Sequence, residues 1–428
     1  SGPSVKQVYQ MVCYYRGVEL YNDQNFDESM IYVNKSIANP INNDILGLSI
    51  FLKGNIQYEW GQYSQAANNF TKFKQFNLED NFSESFASKT LANYNLAYCN
   101  FKMKKYLTAA SYFEQTIKTP GSVNSTNQRI IPDAFLRNAD CLFMTKSYIK
   151  AITNYDEVIN KDWQGAEYAL VQKSVINSLQ GDYLDKVNTL EYLNSKYPNN
   201  LYKDYALYEM GNAFINSGNF NSAIVKLKIQ TSAYPSSLYA AKGFLKLGLA
   251  YFNTQQEERS LIAYKKVVLD YKNTEEAKEA LRALKELYVY LGRANEYLSF
   301  VQNQAGINVS SSEQDSLIFE AADNLYKSGN CSKALPSLSE YIQLFPNGNF
   351  IVSAYYFRAD CFFKASNYSE AYLDYKKLIG IGANKYQETA LLKASYIAYE
   401  INQDYSEALY LYNDLKNKAS LQGNQEIA

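Results

Sequence analysis

Small residues recur along this chain at a nearly constant interval. From Ser174 onward the interval is 37 residues, and before it the intervals are 37, 43, 42 and 35 residues. Nine of the eleven positions hold Gly, Ala or Ser, and the series is Gly17, Gly54, Ala97, Ala139, Ser174, Gly211, Gly248, Lys285, Ala322, Ala359 and Tyr396. A repeat of this length indicates stacked supersecondary units, in which a small residue stands where two helices cross.

A second series of residues supports the same register. An alanine follows several of the small positions by twelve residues and an aromatic residue by sixteen, as in Ala66 with Phe70 and Ala151 with Tyr155. Another aromatic residue, such as Tyr63, opens each of these segments. A stripe at i, i+3 and i+7 is one buried face of an α-helix. Each unit is therefore predicted to be a pair of helices, which gives about 22 helices in all.

The most regular unit runs from Asp204 to Ser236. Its first helix carries Gly211, a Ser-Gly-Asn turn follows, and Phe220 opens the second helix before Pro235 closes the unit. This order of residues resembles the tetratricopeptide repeat (TPR). A helix pair of this kind cannot bury its apolar face alone, so neighbouring units must stack.

The sequences that join the repeats indicate which subgroup of TPR proteins the chain resembles. Tyr-Pro-Asn and Tyr-Pro-Ser joints and the 37-residue period resemble units of the periplasmic Tol-Pal coordinator and of the outer-membrane assembly lipoprotein. The chain resembles most closely the long multi-repeat TPR proteins of Bacteroidetes, because a motif at Ala134–Cys141 returns at Ala354–Cys361. The resemblance implies an all-α fold, a right-handed TPR superhelix or α-solenoid of about 11 helix pairs.

The same resemblance implies a function and a location. It implies a non-catalytic scaffold that binds another protein or a peptide, in the periplasm or associated with the outer membrane. A cytoplasmic location stays open. Carbohydrate capture is the alternative function, because TPR-like helices also occur in glycan-capture lipoproteins, although only two tryptophans are available to stack on sugars.

Composition excludes several other classes of function. The chain has no histidine, so catalytic arrangements and zinc sites that need one are excluded. A net charge of −1 gives no reason to expect nucleic acid or an anionic membrane as partner. No apolar run reaches the roughly 20 residues of a membrane span, and no glycine-rich phosphate loop is present. We therefore expect no enzyme activity, no cofactor, no metal and no membrane insertion.

The five cysteines are widely spaced and form no CxxC motif. A disulfide framework is therefore not expected. Buried, reduced thiols are predicted at Cys13, Cys99, Cys141, Cys331 and Cys361.

Irregular stretches indicate how the repeats are divided. Repeats 1–8 are expected over residues 1–302 and repeats 9–11 over 303–428, with a hinge at the polar stretch 303–314. Polar connectors are also expected at 77–81 and 119–127, and Pro132 is expected in the first turn of the helix that follows.

The first helices of the repeats are expected to line an inner, concave wall. Residues three before, one after and four after each small position should face it. The predicted peptide- or protein-binding residues are Tyr14, Phe51, Asn55, Tyr94, Tyr98, Asp140, Phe143, Tyr208, Asn212, Ile215, Phe252, Phe319, Asp323, Tyr356, Asp360 and Phe363. Amide groups there could bond a peptide backbone while rings cover its apolar groups. The competing interpretation is that these rings only pack on one another.

Overall fold

The computed structural model describes residues 4–78, 87–118 and 125–419. Within these residues the chain forms 22 α-helices and one π-helical turn, and no β-strand. The predicted all-α fold of helix pairs is therefore confirmed. Within the same ranges, no helix is both long enough and apolar enough to cross a membrane.

The helices fall into two compact units, Ser1–Gly218 and Asn219–Ala428. In the first unit each described helix packs against the next one along the chain. Its helices are α1 Val5–Asn22, α2 Phe26–Ile37, α3 Asn43–Glu59, α4 Tyr63–Phe73, α5 Lys89–Lys102, α6 Tyr106–Lys118, α7 Ser125–Met144, α8 Tyr148–Asn160, α9 Ala166–Gln180, α10 Tyr183–Lys196 and α11 Lys203–Asn216.

The second unit has the same construction. Its helices are α12 Phe220–Ala233, α13 Ala240–Asn253, α14 Glu257–Asp270, α15 Glu275–Tyr290, α16 Ala294–Asn303, α17 Ser311–Lys327, α18 Cys331–Leu344, α19 Ile351–Lys364, α20 Tyr368–Gly380, α21 Gln387–Tyr396 and α22 Tyr405–Lys418. The π-helical turn Ile397–Ile401 follows α21, directly after the bulky Tyr396 that replaces the small residue of the last repeat. The predicted boundary at 302/303 lies inside this unit and stays a prediction.

The small residues lie where the two helices of a repeat touch. A β-carbon placed on Gly54 would lie 2.8 Å from the Phe70 ring, and one on Gly248 would lie 2.5 Å from the Tyr264 ring. Each aromatic residue stands sixteen positions after its glycine, as the sequence pattern requires. Phe70 is fully buried and Tyr264 nearly so. The register inferred from the sequence is therefore the register of the helix crossings.

Gly248→Ala is expected to lower the free energy of unfolding by about 1–3 kcal/mol, because the added methyl group overpacks the crossing with Tyr264. Gly380→Ala is the matched control, since Gly380 is also helical and nothing lies within 4 Å of its added β-carbon. The control should be neutral or slightly stabilising, because alanine favours the helix. Urea unfolding followed by circular dichroism measures both variants. Equal effects of the two substitutions would contradict the assigned crossing.

Two expectations about the start of α7 differ from the structure. Helix α7 begins at Ser125, so the predicted connector 119–127 is too long at its C-terminal end, and residues 119–124 lie outside the described part. Pro132 lies in the third turn of α7 rather than the first. Proline removes only one helical hydrogen bond. The full burial of Ala134 and Cys141 in the same helix shows the packing that holds α7 together across this position.

The other predicted irregular stretches are only partly visible. Of the connector 77–81, residues 79–81 lie outside the described part of the chain. Residues 304–310 join α16 to α17 without helix, whereas 311–314 already belong to α17. The hinge function of this stretch stays a prediction.

The prediction of five free thiols was wrong for two of them. Cys331 and Cys361 form a disulfide, with their α-carbons 5.3 Å apart. Cys331 opens α18 and Cys361 lies on the neighbouring α19, so the antiparallel helices bring together residues separated by 30 positions. The pairing depends on how the two helices align with each other, so the spacing of the cysteines in the sequence could not predict it.

The free cysteines should resist thiol reagents at neutral pH. Cys99 and Cys141 are fully buried, and burial raises the pKa of each thiol to about 12. Because the thiolate is the reactive form, labelling of both should be slow in the native protein and fast in urea. As pH rises above the ordinary thiol pKa, the unfolded chain loses these protons first, so stability should fall. Rapid native labelling of either cysteine at pH 7 would refute the assigned burial.

Candidate functional site

Each unit has a cavity on the face formed by its first helices. In the first unit, a cavity of about 370 Å³ lies across α1, α3 and α5, the first helices of repeats 1–3. We call it the N-terminal groove, and it is lined by Tyr21, Asn55, Tyr58, Glu59, Leu91, Tyr94, Asn95 and Tyr98. Three of the predicted binding residues, Asn55, Tyr94 and Tyr98, are thus brought together.

Hydrogen bonds hold the polar side chains of the N-terminal groove in place. The hydroxyl groups of Tyr94 and Tyr98 both donate to Oδ2 of Asp133, at 2.7 and 2.5 Å. Nδ2 of Asn95 donates to Oδ1 of Asn55 at 3.1 Å. The rings of Tyr94 and Tyr98 meet edge to face, with 5.0 Å between their centres. The groove is therefore an ordered surface rather than a set of freely rotating side chains.

The tyrosines of the groove stay neutral across the physiological pH range. Burial is the main cause that raises the pKa of Tyr58 to about 12, and the Glu59 carboxylate contributes. Burial also raises the pKa of Tyr94 and Tyr98, and their hydrogen bonds to Asp133 increase it further. Charge on the lining of this groove therefore comes from Glu59 alone.

A partly buried ionic network adjoins the N-terminal groove through Asp133. Arg137 bonds Asp133 at 3.3 Å and Asp140 at 2.7 Å. Asp140 also accepts hydrogen bonds from Tyr155 at 2.7 Å and Tyr168 at 3.1 Å. Asp140, predicted to face a ligand, is buried and holds α7, α8 and α9 together in this structure.

In the second unit, a cavity of about 610 Å³ lies on α13 and α15, with one residue from α14. It meets a cavity of about 540 Å³ that extends to α17, and the two share Arg282, Glu286 and Tyr290. We call both together the C-terminal groove, and it is lined by Leu245, Lys246, Leu249, Phe252, Tyr264, Glu279, Arg282, Ala283, Lys285, Glu286, Leu287, Val289, Tyr290, Glu320 and Asn324. Phe252, a predicted binding residue, meets Tyr290 edge to face with 5.8 Å between ring centres.

Besides Asp140, four aromatic residues among the predicted binding residues are buried. They are Tyr14, Phe51, Tyr208 and Phe319. The ring of Phe51 packs edge-on against Phe70 and Phe73, with 5.2 and 4.9 Å between centres. Phe319 stacks on Phe350 at 4.5 Å. These contacts are what the packing interpretation expects at those positions.

A further group engages neighbouring side chains while remaining partly exposed. Tyr356 stacks on Tyr386 with 4.0 Å between ring centres. Asp360 accepts a hydrogen bond from Tyr326 at 2.8 Å and pairs with Lys364 at 2.6 Å. Asp323 pairs with Lys327 at 2.6 Å, and the ammonium of Lys393 lies 4.1 Å from the ring centre of Phe363. The residues Phe143, Asn212 and Ile215 are half-buried and line neither groove.

Several lining residues were not among the predicted ones, although the register contains some of them. Tyr21 stands four residues after Gly17, and Arg282 and Glu286 stand three before and one after Lys285. These are the positions assigned to the inner wall, so the signal was present. Leu91 and Asn95 occupy other positions of α5, and no sequence signal points to them.

Two segments of the chain match known family models. Tetratricopeptide repeat family models match residues 319–386 and 91–122. No curated protein sequence matches the chain.

Solved structures give three examples of similar chains. A tetratricopeptide repeat protein from Parabacteroides merdae is 13% identical, with 65% of this chain and 98% of that chain covered and a TM-score of 0.39. The C-terminal part of a TPR repeat-containing protein from Cytophaga hutchinsonii is 15% identical, with 71% and 98% covered and a TM-score of 0.39. A chain of Naa15/Naa10 bound to HypK-THB is 13% identical, with 94% and 62% covered and a TM-score of 0.40.

Proposed function

Because the chain belongs to the tetratricopeptide repeat family, we propose that it is a non-catalytic scaffold that binds a segment of another protein. Repeat proteins of this kind typically use the extended surfaces of their stacked units for binding. The observation that carries the proposal is the N-terminal groove. It is formed by the first helices of three consecutive repeats and lined by aromatic and amide side chains.

The lining of this groove suits an extended peptide. The side-chain amides of Asn55 and Asn95 offer donors and acceptors to a peptide backbone. The rings of Tyr58, Tyr94 and Tyr98 offer surfaces that can cover apolar groups of the segment. Because hydrogen bonds already fix the two asparagines, Tyr94 and Tyr98, less conformational entropy is lost when a segment binds.

We place this scaffold in the cell envelope, in the periplasm or at the outer membrane. The support comes from the Cys331–Cys361 disulfide. Disulfides persist in oxidising compartments such as the bacterial periplasm and are rare in the cytosol.

Site-specific photo-crosslinking tests the proposed binding surface. p-Benzoylphenylalanine is introduced in place of Leu91 in the groove, or in place of Leu107 on the second helix of the same repeat, which is 74% exposed. Each full-length variant is irradiated with the envelope fraction of the source cells. A discrete crosslinked protein is expected from position 91 and not from position 107. Identical crosslinks from both positions would argue against the groove.

Carbohydrate binding is the alternative outcome of the same test. Calorimetry with neutral oligosaccharides, run on the wild type and on Tyr58→Leu, separates the two functions. Saccharide binding that Tyr58→Leu abolishes, together with no protein crosslink from position 91, would replace the scaffold function with glycan capture.

A further inference from the structure

The charge on the N-terminal groove has one sign. Of its eight lining residues only Glu59 is acidic or basic. The carboxylate of Glu59 forms no hydrogen bond or ion pair with another residue in the described part of the chain. Glu59 lines the cavity, and after burial its negative charge is the next cause of the raised pKa of Tyr21 on the same cavity.

The network that adjoins the groove adds to this negative charge. Arg137 is the cation there, and it is shared between Asp133 and Asp140. The two carboxylates outnumber the one guanidinium, so the network keeps a negative charge next to Tyr94 and Tyr98. The C-terminal groove is different, because three basic and three acidic side chains line it.

Several polar atoms of the N-terminal groove can only accept hydrogen bonds from a ligand. A phenol has one proton, and Tyr94 and Tyr98 each give theirs to Asp133. Their oxygens can then only accept from a ligand. Oδ1 of Asn95 is also an acceptor, since this residue uses its Nδ2 in the hydrogen bond to Asn55. A bound group that brings several donors fits such a surface best.

The aromatic rings favour the same kind of group. Four tyrosines, Tyr21, Tyr58, Tyr94 and Tyr98, line a cavity of about 370 Å³. The face of an aromatic ring carries negative potential and attracts cations within about 6 Å of its centre. Lysine brings three donors and arginine five, and neither side chain has an acceptor.

We propose that the N-terminal groove recognises its partner segment through a lysine or arginine side chain, held by Glu59 and by the rings and oxygens of the groove tyrosines. This inference rests on the proposed function and adds the chemistry of the partner to it. The partner is a segment in which a basic residue lies among apolar ones.

An array of random twelve-residue peptides with blocked termini tests this selectivity on the full-length protein. Bound peptides should be enriched in Lys or Arg. In solution, replacing the critical lysine of a bound peptide by norleucine should weaken binding about tenfold or more. Glu59→Gln should weaken binding of the same peptide about fivefold, with a loss that shrinks at high salt. Glu28→Gln on α2, an exposed acid outside the groove, is the matched control and should change nothing.

A pair of ring variants tests the aromatic contribution. Tyr58→Leu should weaken binding of the basic peptide severalfold. Tyr58→Phe, which keeps the aromatic ring, should bind this peptide about as well as the wild type. Equal loss in both variants would contradict a cation–ring contact.

The outcomes separate this inference from the proposed function. Bound peptides without basic enrichment, or enriched in Asp and Glu, would overturn the basic selectivity and leave the scaffold function standing. If no peptide binds and position 91 gives no crosslink to a protein, both proposals fail.

Discussion

Arg358→Ala is expected to destabilise the second unit by roughly 3–5 kcal/mol, because it leaves a buried carboxylate without its partner. Arg358 makes two parallel hydrogen bonds to Asp374, each 2.7 Å long, and a third to Ser339 at 3.1 Å. The side chains of Arg358 and Asp374 are only 18% and 6% exposed. Urea unfolding of wild type and variant at pH 7 measures the loss.

The pH dependence of this variant has a defined sign. Burial raises the pKa of Asp374 even with the guanidinium in place. Without Arg358 the folded-state pKa should rise further above its unfolded value. A carboxyl group whose pKa is higher in the folded state than in the unfolded state binds its proton more tightly in the folded protein. The free energy of unfolding therefore falls as pH rises through this range. The deficit of Arg358→Ala should therefore shrink when unfolding is measured at pH 5 instead of pH 7.

Two controls distinguish a buried pair from an ordinary charge. Arg16→Ala removes a pair with Glu19 whose side chains are 43% and 60% exposed, so it should cost at most about 1 kcal/mol. The double variant Arg358→Met/Asp374→Leu should recover most of the loss, since apolar residues can replace a buried ion pair. A cost for Arg358→Ala no larger than that for Arg16→Ala would contradict the buried pairing.

Removing the disulfide is expected to have an effect of similar size. Cys331→Ala/Cys361→Ala should lower the free energy of unfolding by roughly 3–4 kcal/mol, because the link closes a loop with a sequence separation of 30 residues. Reduction of the wild type by dithiothreitol should produce much of the same loss, and the double variant should not respond to the reductant. Thiol titration in urea should find three free thiols before reduction and five after it.

Cys141→Ala is the matched control for this experiment. Cys141 and Cys361 both stand two residues after the small position of their repeat, and both are fully buried, but Cys141 is a free thiol. Cys141→Ala should cost about 1 kcal/mol for the lost sulfur atom, with or without reductant. Five free thiols in the unreduced protein would refute the disulfide and remove its support for an envelope location.

The repeat architecture was determined by the sequence, because helix crossings demand particular residue sizes. A glycine such as Gly54 leaves space only for the ring that arrives sixteen residues later, here Phe70. This size requirement involves only the two helices of one repeat. It can therefore be recognised from a single sequence. The same reasoning located the first-helix positions that Asn55, Tyr94, Tyr98 and Phe252 occupy in the two grooves.

Only the tertiary structure decided which of those first-helix positions line a groove and which are buried. Tyr14 and Tyr94 both stand three residues before a small residue, yet Tyr14 is buried while Tyr94 lines a groove and donates to Asp133 of the next repeat. Asn55 and Asp140 also share a position, but Tyr155 and Arg137 engage Asp140 from within the fold. The contacts of each inner-wall side chain depend on non-equivalent residues of neighbouring helices. A pattern that repeats every 37 residues carries no information about those differences.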